Sequence, residues 1–229
     1  MKDQVVLITG ANGGLGNSVT DAFLSAGAKV AGVSPKISQD DFKNPNFHAF
    51  PAAISDLASA KKLTADIVQR LGKIDALIHL VGAFAGGASV ADTDDATWAK
   101  MLDLNLNAAF HIFRAVLPEM RKSGKGRIVA IGSRMALEPQ PGVGAYEVSK
   151  AALVSLVRAT ALENKDAGIN VNIILPDTMD TAANRAAMPK ADSSKWVPTG
   201  DVAQLLLALA GPAGAAVTGA VIPIYGRNA

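Results

Sequence analysis

Gln4-Val5-Val6-Leu7-Ile8-Thr9-Gly10-Ala11-Asn12-Gly13-Gly14-Leu15-Gly16 decides how the rest of the chain is read. Val5 to Ile8 is an unbroken apolar run, the pattern of a strand buried on both faces of a parallel sheet. Glycines at 10, 14 and 16 come at once after it, and a helical pattern through Val19, Phe23 and Leu24 runs on to Gly27. A strand, a bare turn and a helix in that order bring free N–H groups and the positive end of the helix dipole to a diphosphate, and glycines let it come close. The same glycines could make a tight turn with no ligand. The setting between strand and helix, rather than the glycine count, carries the reading. The candidate contacts are Gly10, Asn12, Gly14, Leu15 and Gly16.

Working outward, further strands are expected at 29–33, 47–50, 75–81, 127–131, 170–175 and 221–224, with 34–46 as a loop. A helix capped by Ser55 places Leu63, Ile67 and Leu71 in register. A long helix at about 95–121 has Trp98, Met101, Leu102, Ile112 and Val116 on its apolar face, and another spans 145–165. Strand and helix alternate throughout. That predicts an α/β fold, a doubly wound parallel sheet with helices on both faces, forming one domain over 1–229.

Hydrophobic residues are 49% of the chain and charged ones 18%, which excludes a disordered protein. A net charge of +2 offers no basic field for nucleic acid. With no Cys, disulfide frameworks and thiolate catalysis are excluded, and a reducing compartment fits. His48, His79 and His111 have no metal-ligand spacing, so no metal is expected. No apolar run has the length of a membrane span or a leader core, which predicts a cytoplasmic protein without membrane attachment. The 145–165 helix is apolar around most of its circumference, so its outer side is expected to meet a second subunit, unless the domain's own loops cover it.

Tyr146-Glu147-Val148-Ser149-Lys150 puts a phenol and an ammonium one helical turn apart on one face. An adjacent cation favours the phenolate and should lower the Tyr146 pKa from about 10 towards the working range of an acid–base catalyst. Asn105 interrupts an apolar helix face, where a carboxamide needs a hydrogen-bond partner. It could equally bond nearby backbone with no catalytic part. Ser133 comes just after an apolar strand.

Thr9-Gly10-x-x-x-Gly14-x-Gly16, Asn105, Ser133 and Tyr146-x-x-x-Lys150, with Thr218-Gly219 before the last strand, resemble the short-chain dehydrogenase/reductase family over the whole chain. The resemblance implies a Rossmann-type fold and an NAD(P)(H)-dependent oxidoreductase acting on a small carbonyl or conjugated imine. It implies Tyr146 as proton donor or acceptor, and Lys150 as the group that tunes it and binds the nicotinamide ribose. Ser133 would polarise the carbonyl, and Asn105 would hold a water linking Lys150 to solvent. It also implies cofactor contacts from Gly82, Pro176, Thr178 and Thr181, and a substrate lid at about 178–196.

Some positions depart from the family pattern. His79-Leu80-Val81-Gly82 stands for Asn-Asn-Ala-Gly, so His79 is expected to be a hydrogen-bonded core residue. Ala53 stands for an Asp near the adenine, and Pro176-Asp177 for Pro-Gly. The second strand ends in Ser34-Pro35-Lys36 with no acid before Asp40, which favours NADP(H) over NAD(H), with Ser34 and Lys36 as contacts. Val81–Gly87 and Leu175–Thr181, with Asn184-Arg185, Met188-Pro189 and Trp196, resemble more narrowly the dihydropteridine reductase branch, which implies a quinonoid pteridine as an alternative substrate. Met179, Met188 and Trp196 would line the lid or simply pack it against the core. A dinucleotide-binding sensor or scaffold without turnover, and a lyase or epimerase using its cofactor transiently, are the readings from other classes. A homodimer or homotetramer through helices 95–121 and 145–165 is expected.

Overall fold

The apolar runs become seven parallel strands of one sheet in a computed structural model that describes residues 1–227; Asn228 and Ala229 lie outside the described residues. The strands are β1 (Val5–Thr9), β2 (Lys29–Ser34), β3 (Phe47–Pro51), β4 (Ala76–His79), β5 (Gly126–Ile131), β6 (Ile169–Pro176) and, last in the chain, β9 (Val221–Ile224). Their order across the sheet is β3-β2-β1-β4-β5-β6-β9. The winding along the sheet reverses between β1 and β4, which opens a crevice outside their carboxyl ends.

Alternate residues of each strand serve opposite faces. Leu7, Ile128 and Ala130 pack with α2 (Leu57–Leu71), α4 (Ala108–Ser123) and α5 (Gly144–Asn164). Val6, Ile8, Val129 and Ile131 pack with α1 (Gly16–Ser25) and α7 (Thr199–Ala210). These strands are therefore covered on both sides, which is why β1 reads as continuously apolar rather than alternating.

Several local expectations change. Asp56, not Ser55, caps α2: its carboxylate accepts from Ser59 N at 2.7 Å, and the Ser59 hydroxyl accepts from Asp56 N at 3.2 Å. The helix expected at 95–121 is interrupted. α3 (Asp95–Leu102) runs into a π turn, Asp103–Asn107, before α4. Met101, Ile112 and Val116 are buried as expected, but Trp98 is 41% exposed, on a flank of α3 that walls a surface cavity of about 200 Å³ with Val90, Thr93 and Ala145. The loop at 34–46 contains a 3-10 turn, Gln39–Asp41, closed by reciprocal Ser38 and Asp41 hydrogen bonds.

α7 has no clear signature in the sequence. Leu205-Leu206-Leu207 hides its periodicity, yet Val202, Leu206 and Leu209 are buried against α1. The two-residue strands β7 (Met179–Asp180) and β8 (Val197–Pro198) are too short to show a pattern. They pair in parallel and close the neck of the segment around α6 (Ala182–Ala187). Among the described residues, no helix is long and apolar enough to cross a membrane.

Candidate active site

The turn after β1 is held from both neighbouring strands. Gly10 N donates to Val33 O on β2 at 2.7 Å, and Leu80 N, just past β4, donates to Thr9 O at 3.2 Å. Gly10 adopts φ 73°, a conformation that side chains resist. A Cβ on Gly16 would stand 2.0 Å from Gly10 O, so no larger residue fits where the helix leaves the turn. Thr181 closes over the same turn, with its Cβ 3.2 Å from where a Gly14 Cβ would be. Asn12 reaches sideways and donates to the Asp41 carboxylate at 2.9 Å.

His79 is fully buried. It shares a 2.9 Å hydrogen bond between Nδ1 and Thr9 Oγ1, and burial pulls its pKa down to about 3. It is a neutral core residue, as the sequence suggests.

Across the switch point, β5 ends at Ile131 and leads into Ser133, which is buried, its Oγ accepting from Met135 N at 3.2 Å. With that bond accepted, the hydroxyl proton is free to point towards Tyr146, and a Ser133 hydrogen bond pulls the Tyr146 pKa down. Burial is the larger influence and pushes it up, so the phenol holds its proton at neutral pH. The sequence expectation of a lowered value does not hold in this structure. The reason is that burial of the phenol outweighs the bond from Ser133; the Lys150 ammonium lies 6.0 Å from the Tyr146 ring centroid and donates to Ile131 O at 3.0 Å. Burial lowers the Lys150 pKa to about 8.

Asn105 lies in the π turn, fully buried. Its Oδ1 accepts from Ala83 N at 2.8 Å, and its Nδ2 donates to Ala83 O and Ser149 Oγ, both at 3.0 Å. Both amide hydrogens are thereby used. Gly82 completes the floor, because a Cβ there would lie 2.8 Å from Asn105 Oδ1 and 3.1 Å from Lys150 Nζ. Ser133, Tyr146, Lys150, Asn105 and Gly82 are thus brought together beside the glycine turn.

Residues 4–192 match the family described as short chain dehydrogenase. The chain is a short-chain dehydrogenase/reductase. As a member of that family it is an NAD(P)-dependent oxidoreductase. A short chain dehydrogenase named ausX, from Penicillium brasilianum, is 35% identical over 178 residues, 77% of this chain and 69% of that protein. A solved structure of ElxO with NADP bound has a TM-score of 0.92 at 25% identity, covering 99% of this chain and 98% of that one. A 3-ketoacyl-(acyl-carrier-protein) reductase from Brucella melitensis, complexed with NADH, superposes with a TM-score of 0.88 at 22% identity, covering 100% of this chain and 99% of that one. A nicotinamide dinucleotide is the family's cofactor, and the turn of this dehydrogenase/reductase, with Gly13 and Gly14 exposed and no room for a Cβ on Gly16, fits its diphosphate.

The remaining cofactor candidates fall on the same rim. Leu15 is buried at the start of α1, and Pro176 ends β6. Thr178 N donates to Asp177 Oδ1 at 2.7 Å, and Thr181 caps α6. Ser34, half-buried, ends β2 beside the turn, and Lys36 is exposed. Of the lid candidates, Trp196 is buried and Met179 packs on the core, whereas Met188 is exposed.

Two residues of the site receive no role from the sequence. Asp41 is folded back onto Asn12 by the Ser38-Gln39-Asp40-Asp41 cap. Phe84 is 63% exposed with its ring 5.1 Å edge-on from that of Tyr146, an aromatic whose exposure no periodicity reveals.

Proposed function

We propose that this dehydrogenase/reductase reduces a small ketone, aldehyde or conjugated imine, with Tyr146 as proton donor. When bound, the reduced nicotinamide supplies the hydride. Tyr146 gives its phenolic proton to the substrate oxygen or nitrogen. Ser133 donates a hydrogen bond to the same atom as negative charge builds there. Lys150 stabilises the phenolate that remains and binds the nicotinamide ribose. Asn105 fixes the Ala83 and Ser149 side of the crevice, and its three short bonds there support a structural part in any proton path from Lys150. The observation that carries this reading is the convergence of Ser133, Tyr146 and Lys150 beside the glycine turn. A phenol kept protonated by burial suits the reductive direction.

NADP(H) is the favoured cofactor, with Gly10, Asn12, Gly14, Leu15, Gly16, Gly82, Pro176, Thr178 and Thr181 along it and Ser34 and Lys36 at its adenosine end. NAD(H) remains the alternative, supported by the Asp41 carboxylate at Asn12. Residues 178–196 form the substrate lid, closed at the β7–β8 neck. The exposed faces of α4 and α5, with Phe110, Val148 and Leu162, support a homodimer or homotetramer. A chain without Cys suits the cytoplasm.

Tyr146→Phe tests the reading. It should cut kcat by about 10³-fold while dinucleotide affinity stays within about threefold. Consumption of reduced cofactor is to be followed across ketones, quinones and quinonoid pteridines. Tight dinucleotide binding with no turnover on any of them identifies a sensor, and conversion of substrate without net cofactor consumption identifies a lyase or epimerase.

A further inference from the structure

Asp177 stands where the family resemblance implies glycine, and its partner lies on the neighbouring strand end. Arg134, the residue after Ser133, donates from Nη1 to Asp177 Oδ2 at 3.1 Å and from Nε to Glu138 Oε2 at 2.6 Å. Its guanidinium stacks 4.5 Å over the ring of Tyr225, just beyond β9. Asp177 spends its other oxygen on Thr178 N, and its own N–H donates to Ile224 O at 3.1 Å. One planar fork therefore ties together the carboxyl ends of β5, β6 and β9. The first of these leads into Ser133, the second into Pro176 and Thr178, and the third into Tyr225.

The Arg134 and Asp177 side chains are 24% and 18% exposed. A pair so near solvent contributes little to folding, typically about 0–1 kcal/mol. Its geometric effect can be much larger, because a displacement of about 1 Å in a reacting group can cost about 100-fold in rate. Ser133 begins a 3-10 turn, Arg134–Ala136, anchored on one side by the end of β5. The fork supplies an anchor on the other side.

We propose that Arg134 is a positioning residue: by gripping Asp177 it holds the Ser133 hydroxyl in register with the Thr178 edge of the crevice. The proposal rests on Ser133 as the group that polarises the substrate. Glu138 and Tyr225 hold the guanidinium too, one at Nε and the other beneath its face. Lysine in place of Arg134 would keep the charge but lose the fork.

The test uses the full chain, NADPH and the most active compound of the substrate panel. Arg134→Met and Asp177→Asn should each lower kcat by about 10- to 100-fold with KM within about threefold, and Arg134→Lys should restore only part of the loss. In the cofactor-free protein, amide hydrogen exchange at Thr178 should speed up in R134M. If R134M folds poorly, D177N alone decides the kinetic arm. Wild-type kcat in both variants, a change confined to KM, or unchanged exchange at Thr178 each overturns the proposal. Ser133→Ala is run beside them. Wild-type kcat in S133A removes the reading of Ser133 and the proposal with it, whereas an impaired S133A with unimpaired R134M and D177N removes the proposal alone.

Discussion

Lys150 donates its ammonium to the carbonyl oxygen of Ile131, 3.0 Å away, at the point where β5 ends. Burial costs the charged form more than that single bond returns, and the pKa falls from 10.5 to about 8. Between those values the unfolded chain carries a proton that the folded one has shed, so stability rises with pH across about pH 8 to 10. The expected gain is on the order of 3 kcal/mol. Above that window Tyr146, whose pKa is raised, acts with the opposite sign. Denaturant unfolding of wild type and Lys150→Met from pH 7 to 10 checks this: the difference between them should change with pH, and a constant difference contradicts it.

Gly82 lies under both Asn105 and Lys150. Gly82→Ala inserts a Cβ 2.8 Å from Asn105 Oδ1, an atom held by Ala83 N and unable to retreat without losing that bond. Turnover should drop about 10- to 100-fold. Melting temperature should fall by a few degrees, equivalent to about 1–2 kcal/mol. Retained kcat in G82A would show that the floor yields.

Asp41 carries negative charge to Asn12 in the turn after β1. Its carboxyl pKa is lowered, first by the Ser38 backbone hydrogen bond and then by Asn12, so it is ionised at neutral pH. Asp41→Asn removes that charge and should tighten NADP(H) several-fold, leaving NAD(H) nearly unchanged. Titrations with both reduced cofactors read the ratio directly, and an unchanged ratio would place the ribose away from Asp41.

Leu162 is 71% exposed at the far end of α5, with Val148 a few turns before it and Phe110 on α4. Leu162→Glu should shift the protein to a smaller species by light scattering at micromolar concentration, with the fold intact by circular dichroism. An unchanged mass in the variant, or a monomeric wild type, argues against subunit contact through this helix.

The sheet is legible in the sequence because its central strands are apolar on both faces and bounded by glycine, proline or a helix start. Ser133, Tyr146 and Lys150 can be paired because family spacing fixes them on one strand end and one helix. The hidden features depend on distance in the chain. The Asn12–Asp41 bond reaches across α1 and β2 in the chain, and the Arg134–Asp177 pair joins two strand ends that become neighbours after the sheet forms. The Lys150 direction is equally hidden, since helical spacing sets its Cβ but not which oxygen its ammonium reaches. α7 escapes because consecutive leucines blur a period that burial against α1 makes plain.

The π turn at Asp103–Asn107 carries one residue more per turn than the helices on either side. Removing any one of its five residues would let α3 and α4 merge into an ordinary rod of nearly unchanged length. α3 would keep nearly its present orientation about the rod's axis, because the bulge absorbs its extra residue within a single turn, but the residues of the turn itself would be reseated. Helical content would hardly register the loss, yet the carboxamide of Asn105 would swing off the Ala83 backbone. The crevice is therefore indexed by residue count in this helix, and shortening by a single codon is a harsher change there than most side-chain replacements.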